Sequence, residues 1–269
     1  MEQGKNYIEI NKALWNEKTK HHLASDFYDM PAFLAGENTL KSPELALLGD
    51  VKGKRILHLQ CHFGQDSLSL ARMGAEVTGV DLSDKAIEAA NGLAKELGLN
   101  TRFICCDLYS LPQHLDEQFD IVFTSYGTIG WLPDIRAWAA IVALYVRPEG
   151  KFVFADFHPA LWMFDNNFTR VEYPYFNGEP IVETEKGTYA DKNADIELES
   201  VGWNHGLAEV MQSLINAGLQ IEVFEELDFS PYDCFAKTVE IEPGKFQIKG
   251  MENKLPIMYT LKARKLWKS

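Results

Sequence analysis

The chain has few cysteines, a deficit of basic residues and no long apolar run. Only four of its 269 residues are cysteine, and Cys105 and Cys106 are sequence neighbours, which argues against a disulfide framework. Asp and Glu number 39 against 26 Lys and Arg, giving a net charge of −13, which disfavours binding to nucleic-acid phosphates or anionic lipid. The longest apolar run, residues 137–146, is about half the length of a membrane span.

The first residues also lack a basic start followed by an apolar segment, so we expect no signal peptide. These deficits together predict a soluble, cytoplasmic protein with reduced thiols and with no nucleic-acid or membrane partner. They leave the oligomeric state open. The 46% of hydrophobic residues is enough for a substantial core.

From residue 54 onward, the sequence alternates between strand and helix patterns. Strands are predicted at residues 55–60, 76–81, 101–107, 119–126 and 150–158, with amphipathic helices between them. A further helix follows residue 203, and strands follow at 220–227 and 256–263. This alternation is typical of an α/β protein with a doubly wound parallel sheet covered on both faces.

Two segments depart from that alternation. Residues 1–50 contain a helical pattern and are predicted to form a helical lid. Residues 159–202 are rich in aromatic and acidic side chains, with strand-like alternation at 181–185 and 196–200, and are predicted to form a small antiparallel insertion that covers the substrate. The remaining residues, 51–158 and 203–269, form the predicted core.

Glycine is scarce where the first strand turns into the first helix, in the sequence LHLQCHFGQD at residues 57–66. In an open parallel sheet, ligands bind outside the carboxyl ends of the strands, and this turn offers backbone N–H groups and a helix N-terminus. Asp81 ends the second strand, where a carboxylate can accept hydrogen bonds from ribose hydroxyls. Asp107 ends the third, where it can accept from an adenine amino group. The pattern predicts an adenosine pocket.

This pattern resembles the class I S-adenosylmethionine-dependent methyltransferases over roughly residues 50 to 265. The stretches that carry the resemblance are His58-Leu-Gln60-Cys-His62-Phe-Gly64, Val80-Asp81-Leu82 and Cys106-Asp107-Leu108. The first of them is similar to the loop of a bacterial subgroup with the same HLQCHFG sequence. The family usually has acid-x-Gly-x-Gly-x-Gly in this loop, so His58 takes the place of the acid, and Gln60 and His62 take the places of two glycines.

The resemblance implies a Rossmann-like seven-stranded sheet of order 3-2-1-4-5-7-6 with strand 7 antiparallel. It implies S-adenosylmethionine as cofactor and S-adenosylhomocysteine as product. The residues it assigns to cofactor binding are Leu59, Gln60, Cys61, His62, Gly64, Asp81, Leu82, Asp107, Leu108 and Ser125.

Other interpretations of the loop remain open. Histidine tolerates positive φ better than most residues, so His62 can keep the loop in its usual shape, and Asp66 can replace the missing acid. A metal site or a Cys61–His62 nucleophilic pair is less favoured, because the spacing fits no standard zinc motif and adjacent residues on a turn rarely face each other. We predict no metal.

A nicotinamide-dependent oxidoreductase would need glycines at 60, 62 and 65, where Gln60, His62 and Gln65 stand. A protein that binds adenosyl ligands without catalysis is a further alternative.

Catalytic residues are weakly marked, because methyl transfer depends largely on alignment. His158 ends the fifth strand and is predicted as a base, and Tyr126 ends the fourth and is predicted to orient the substrate. For both, a purely packed or hydrogen-bonded role is the alternative. The acceptor is predicted to be a small molecule, amine-bearing or neutral. Weaker candidates for ligand contact are Trp15, Tyr28, His21, His22 and His205.

Overall fold

The computed structural model describes residues 7–266. Residues 1–6 of the predicted lid and residues 267–269 of the predicted core lie outside the described residues. The helices are α1 (Tyr7–Ala24), α2 (Met30–Leu34), α3 (Ser42–Leu48), α4 (Gln65–Arg72), α5 (Asp84–Glu96), α6 (Ile135–Tyr145) and α7 (Leu207–Asn216).

Eleven strands lie in the described part of the chain. They are β1 (Arg55–Leu59), β2 (Glu76–Asp81), β3 (Arg102–Cys105), β4 (Phe119–Ser125), β5 (Val146–Phe157), β6 (Ile181–Lys186), β7 (Glu197–Gly202), β8 (Leu219–Leu227), β9 (Thr238–Glu242), β10 (Lys245–Ile248) and β11 (Met258–Lys265).

Seven of these strands form the central sheet, in the order β3-β2-β1-β4-β5-β11-β8. The first five pair in parallel, and β11 runs antiparallel to both β5 and β8. Counted by strands of the sheet alone, this is the predicted order 3-2-1-4-5-7-6 with an antiparallel seventh strand, so the predicted fold class is confirmed.

The sheet is buried on both faces, as the near-continuous apolar strands require. On one face, α6 and α7 pack their apolar sides against β4, β5 and β11, with the indole of Trp138 fully buried among Phe152 and Phe154. On the other face, α3 and α4 cover β1, β2 and β4. This packing holds the carboxyl ends of the parallel strands at one edge of the sheet.

The N-terminal helix α1 lies across that edge and contacts both α5 and the β6–β7 hairpin. Its buried Asn11 side chain donates to the carbonyl of Val201 at 2.8 Å and accepts from the Val201 N–H at 3.0 Å. Asn16 accepts from the hydroxyl of Ser83, the N-cap of α5, at 2.7 Å. These bonds fix α1 between the hairpin and the core.

A second hairpin, β9–β10, follows β8 and was not anticipated by the sequence analysis. Its alternation at Val239 and Ile241 and its Pro243-Gly244 turn are signals that could have predicted it. Ser230, just before it, exchanges two backbone hydrogen bonds of 2.8 Å with Phe246, which tie the end of the β8–β9 loop nearest β8 to β10. Tyr232 and Phe235 of this loop line the cavity described below. In the described part of the chain, none of the helices has the length and apolar character needed to cross a membrane.

Candidate cofactor and acceptor site

A cavity of about 820 Å³ lies at the carboxyl ends of the parallel strands. Its walls come from the strand ends, α1, the segment between α1 and α3, the β6–β7 hairpin and the loop after β8. Ten predicted site residues line it, namely Gln60, Cys61, His62, Gly64, Asp81, Leu82, Asp107, Leu108, Ser125 and Tyr126. The structure therefore brings most of the predicted site together in one cavity.

The β1–α4 loop keeps a left-handed backbone at the three positions where the family has glycine. The φ angles are 54° at Gln60, 51° at His62 and 80° at Gly64. A non-glycine residue in this region costs about 1 to 2 kcal/mol, so Gln60 and His62 are strained. Gly64 is required for a second reason, because a Cβ there would lie 2.8 Å from the Phe103 ring.

Asp81 holds this loop against the second strand. One carboxylate oxygen accepts the His62 N–H at 2.8 Å, and the other accepts the Ser83 N–H at 2.9 Å. Burial raises the pKa of Asp81, although these backbone hydrogen bonds oppose the shift. An ionised carboxylate has about four lone-pair positions, so Asp81 can accept further hydrogen bonds from a ligand.

Asp107 follows β3 and caps the short 3-10 helix at Leu108–Gln113, accepting from the Ser110 N–H at 3.0 Å. Burial raises the pKa of the Asp107 carboxyl. Tyr7 of α1 lies near enough that burial, together with the Asp107 charge, raises the pKa of its hydroxyl to about 12. A carboxylate, a phenol and the apolar side chain of Leu108 thus share this end of the cavity.

His58 stands where the family has an acid, but it does not supply charge. Its Nδ1 lies 2.8 Å from the Ser67 hydroxyl, and its ring stacks on Phe123 at 4.8 Å. Burial lowers the pKa of His58 to about 3, so the ring is neutral at physiological pH.

The nearby acid is Asp66 at the start of α4, which lines the cavity and accepts from the Thr39 hydroxyl at 2.5 Å. Burial raises the pKa of Asp66, an effect opposed by the Thr39 hydrogen bond, the Lys41 charge and the Ser125 hydroxyl. The cavity therefore contains a carboxyl group beside Ser125, as well as those of Asp81 and Asp107.

The turn after β4 is shaped by a buried acid that sequence reasoning missed. Asp156 of β5 is 2% exposed. Its carboxylate accepts from the N–H of Gly127 and from the N–H and hydroxyl of Thr128. Tyr126, immediately before Gly127, has a φ of 51°. Because Asp156 holds the backbone of the two residues that follow Tyr126, Tyr126 can remain in this strained conformation and line the cavity.

Tyr126 is tied to the N-terminal segment as well. Its hydroxyl donates to Oε2 of Glu44 in α3, and its ring lies 5.1 Å from the Tyr232 ring, edge to face. The Glu44 side chain is completely buried, and its other oxygen accepts the Lys41 N–H at 2.5 Å. Sequence reasoning did not single out Glu44, because nothing in its local pattern indicates a partner 82 residues away.

Two predicted residues do not line the cavity among the residues that the structure describes. Leu59 is fully buried in the core. His158 is turned toward β8, where Nε2 lies 2.9 Å from Glu226 and Nδ1 accepts the Ala160 N–H at 3.1 Å. Both ring nitrogens of His158 therefore have partners away from the cavity, and its role as a base stays a prediction.

A pair of histidines joins α1 to the loop. His22 Nδ1 and His62 Nε2 are 2.8 Å apart, so one ring donates and the other accepts. Burial lowers the pKa of His62 to about 3, helped by the Lys18 charge, and the pKa of His22 to about 2, helped by its neighbour His62. Trp15 packs edge to face against His62 at 5.3 Å. The strained loop is thus held by side chains of α1.

The thiol of Cys61 is buried and donates weakly to the His62 carbonyl at 3.6 Å. Burial, together with the Asp81 charge, raises the pKa of Cys61 well above its usual value, whereas a nucleophilic cysteine needs a lowered one. Among residues 7–266, no group of three His, Cys, Asp or Glu side chains is arranged to hold a metal ion.

Comparison with known proteins agrees with this geometry. Residues 56–150 match the family model described as "Methyltransferase domain". The chain is also similar to the structure of an S-adenosylmethionine-dependent methyltransferase from Mesorhizobium loti, with a TM-score of 0.58 and 23% identity over 86% of this chain and 100% of that one. This is the class I methyltransferase fold. The predicted resemblance is confirmed for the fold and for the domain at 56–150.

Two further relatives refine the comparison. The structure of DhpI in complex with S-adenosylhomocysteine has a TM-score of 0.55 and 17% identity over 98% of each chain. The ubiquinone biosynthesis O-methyltransferase of Coxiella burnetii is 34% identical over 105 residues, which are 39% of this chain and 44% of the relative. The chain thus spans less than half the length of this methyltransferase relative.

Proposed function

We propose that this protein is an S-adenosylmethionine-dependent methyltransferase that methylates a small molecule and releases S-adenosylhomocysteine. The observation that carries the proposal is the β1–α4 loop. It has positive φ angles at residues 60, 62 and 64 and is anchored to Asp81 at the tip of the next strand. The loop keeps this left-handed backbone beside an 820 Å³ cavity, at the three positions where the family that the sequence resembles has glycine.

In this proposal Asp81 accepts hydrogen bonds from the ribose hydroxyls and Asp107 accepts from the adenine amino group. The fit is supported by the lone pairs that remain on the Asp81 carboxylate after its two backbone bonds. The apolar side chains of Leu82 and Leu108 also line the cavity and are proposed to pack against the planar base.

We assign the amino group of the cofactor's methionine portion to Asp66. His58 is buried and neutral, so it cannot balance an ammonium charge. Asp66 lines the cavity beside Ser125 and Tyr126. An ammonium group next to Asp66 would favour the ionised form of that carboxyl, against the desolvation that raises its pKa.

S-adenosylmethionine, when bound, supplies a methyl group on a positively charged sulfur. The chain's own contribution is to orient the reactants and exclude water, which can provide much of the rate of such a displacement. The volume of about 820 Å³ lies within the range of small-molecule sites, and the proposed acceptor is accordingly a small molecule. Residues 1–50 and 159–202 are proposed to cover it, in a cytoplasmic protein that binds no nucleic acid.

The test is to measure binding of S-adenosylhomocysteine, NAD and NADP separately by isothermal titration calorimetry. We expect saturable binding of S-adenosylhomocysteine alone. Binding of a nicotinamide dinucleotide instead would favour the oxidoreductase alternative.

A second assay follows methyl transfer from labelled S-adenosylmethionine to a panel of phenols, amines and thiols. Cofactor binding without transfer to any member of the panel would favour the inactive adenosyl-binding protein.

A further inference from the structure

The contact between Tyr126 and Glu44 joins the cavity to a carboxyl group behind its wall. Tyr126 lines the cavity, and its hydroxyl donates to Oε2 of Glu44. The Glu44 side chain has no exposed surface. A proton that leaves the Tyr126 hydroxyl therefore has an acceptor already in hydrogen-bond contact.

The local structure of α3 does not explain why this buried group is an acid. Glu44 completes the capping box of α3 by accepting the Lys41 N–H with one oxygen, and a glutamine would accept that hydrogen bond equally well. Burial of a charge costs several kcal/mol unless it is compensated. The second oxygen is directed at Tyr126, so the carboxyl group serves the tyrosine.

The charged and titratable groups that face Glu44 come from three other elements and from its own. Tyr126 lies after β4, Tyr232 in the loop after β8, Asp66 in α4, and Lys41 immediately before α3. Burial raises the pKa of Glu44 to about 7, with the Asp66 charge adding to the shift and the hydrogen bonds from Tyr126 and Lys41 opposing it. Burial and the Glu44 charge raise the pKa of Tyr126 well above its usual value. The shared proton therefore rests on Tyr126 before reaction.

We propose that Tyr126 and Glu44 form a proton relay, in which Tyr126 takes the proton of the methyl acceptor and passes its own proton to Glu44. This inference rests on the proposed methyltransferase function and adds to it the class of acceptor, one whose attacking oxygen or nitrogen carries a proton. Tyr126 is the catalytic residue, and Glu44 acts through it.

The relay balances the transfer. The acceptor attacks the methyl group with the electron pair of its attacking atom, and the pair of the broken sulfur–methyl bond stays on sulfur. The acceptor proton goes to the Tyr126 oxygen while the Tyr126 proton goes to Glu44. Glu44 ends as a neutral acid and must lose its proton to solvent before the next cycle. A base with a pKa near the working pH is the most effective one for such a step.

The first test is spectroscopic and needs no acceptor. Infrared difference spectra of the protein with S-adenosylhomocysteine are recorded across pH for the wild type, Glu44→Gln and Tyr126→Phe. We expect a protonated-carboxyl band that is absent in Glu44→Gln and titrates near pH 7 in the wild type. The Tyr126→Phe variant loses the donor to Glu44, so the midpoint should rise. A Glu44 carboxyl that titrates like an exposed glutamate, or one indifferent to Tyr126→Phe, overturns the relay.

The second test measures single-turnover methyl transfer to phenols (phenol, catechol) and to amines (benzylamine, N-methylbenzylamine). Both Glu44→Gln and Tyr126→Phe should lose about 100-fold or more at pH 7 while their affinity for S-adenosylhomocysteine is unchanged. The deficit of Glu44→Gln should shrink as pH rises and the acceptor ionises by itself. The control Tyr109→Phe removes a half-buried tyrosine hydroxyl that bonds the Asp134 carbonyl at 3.0 Å, outside the cavity, and should behave as the wild type.

The outcomes separate the relay from the function on which it rests. A Glu44→Gln enzyme with the wild-type rate and pH profile overturns the relay while the methyltransferase function stands. A wild type that methylates thiols of the wider panel but no phenol or amine contradicts the relay and its acceptor class, while the methyltransferase function stands. Binding of S-adenosylhomocysteine without transfer to any acceptor, thiols included, favours the inactive adenosyl-binding protein and removes the function on which the relay rests. Transfer to phenols alone assigns the proton to a hydroxyl, and transfer to amines alone assigns it to nitrogen. A wild type that does not bind S-adenosylhomocysteine contradicts the proposed function, and the relay with it.

Discussion

Replacing Asp81 by asparagine tests the proposed cofactor site most directly. In the wild type, the two carboxylate oxygens accept the N–H groups of His62 and Ser83 at 2.8 and 2.9 Å. Asparagine keeps one acceptor oxygen, and its NH₂ group then faces the other backbone N–H. A hydrogen bond to a charged group contributes about 1.5 to 3 kcal/mol, and a buried donor left unpaired costs about 1 to 3 kcal/mol. We expect the free energy of unfolding of Asp81→Asn to fall by about 2 to 4 kcal/mol.

Ligand binding should suffer separately from stability. If a ribose hydroxyl donates to Asp81, loss of that charged acceptor weakens the binding of S-adenosylhomocysteine. The loss of binding free energy is about 1.5 to 3 kcal/mol, which is about 10- to 150-fold in dissociation constant. Calorimetry at a temperature where the variant is folded measures this directly. The matched control is Asp84→Asn, an exposed carboxylate three residues along, which pairs with Lys12 at 3.3 Å on the surface and should bind as the wild type. Equal affinity of Asp81→Asn and the wild type would refute the assignment.

Three further substitutions test the loop and the strand before it. Gly64→Ala should lose about 2 to 4 kcal/mol of unfolding free energy in urea, because of its positive φ and the contact with Phe103. The control Gly98→Ala has a positive φ but open space around it and should lose about 1 kcal/mol. Equal losses in the two variants would contradict the close packing at Gly64. Cys61→Ser should leave the affinity for S-adenosylhomocysteine unchanged. If calorimetry shows no binding by this variant, a role for the Cys61 thiol is favoured instead. The pKa of His58 is about 3 in the folded state and 6.5 in the unfolded state, so the unfolded state binds more protons below pH 6.5. Between pH 7 and pH 5 the wild type should therefore lose about 2 kcal/mol more unfolding free energy than His58→Asn. Parallel pH profiles of the two proteins would show an exposed ring.

Much of the fold could be predicted because its signals are local. The apolar strands, the N-cap at Ser83 and the acids at the ends of β2 and β3 can each be read from a few consecutive residues. The strand order came from the resemblance to a family, since periodicity alone does not fix which strands are neighbours. The β9–β10 hairpin was missed although its alternation was present, because its strands are only five and four residues long.

The candidate site was predicted less completely, because its decisive contacts join residues far apart in sequence. His22 meets His62 across 40 residues, and Tyr126 meets Glu44 across 82. His158 shows a second limit of prediction from sequence, which concerns the direction of a side chain. Its position at the end of β5 indicates the correct edge of the sheet, but its ring turns toward β8 and Glu226. A strand-end position thus locates a residue near a site without fixing where its side chain points.

Gln60 and His62, in place of glycine, change how the proposed cofactor loop is held. Glycine would adopt the positive φ angles at 60 and 62 without strain, but it could make no side-chain contacts. Here the Gln60 amide donates to the Thr128 carbonyl at 2.8 Å, and His62 pairs with His22 of α1. The loop is therefore coupled to the turn after β4, which carries Tyr126, and to α1, which lines the cavity. In a chain with glycine at both positions those couplings would be absent, so α1 is structurally part of the proposed cofactor site in this protein.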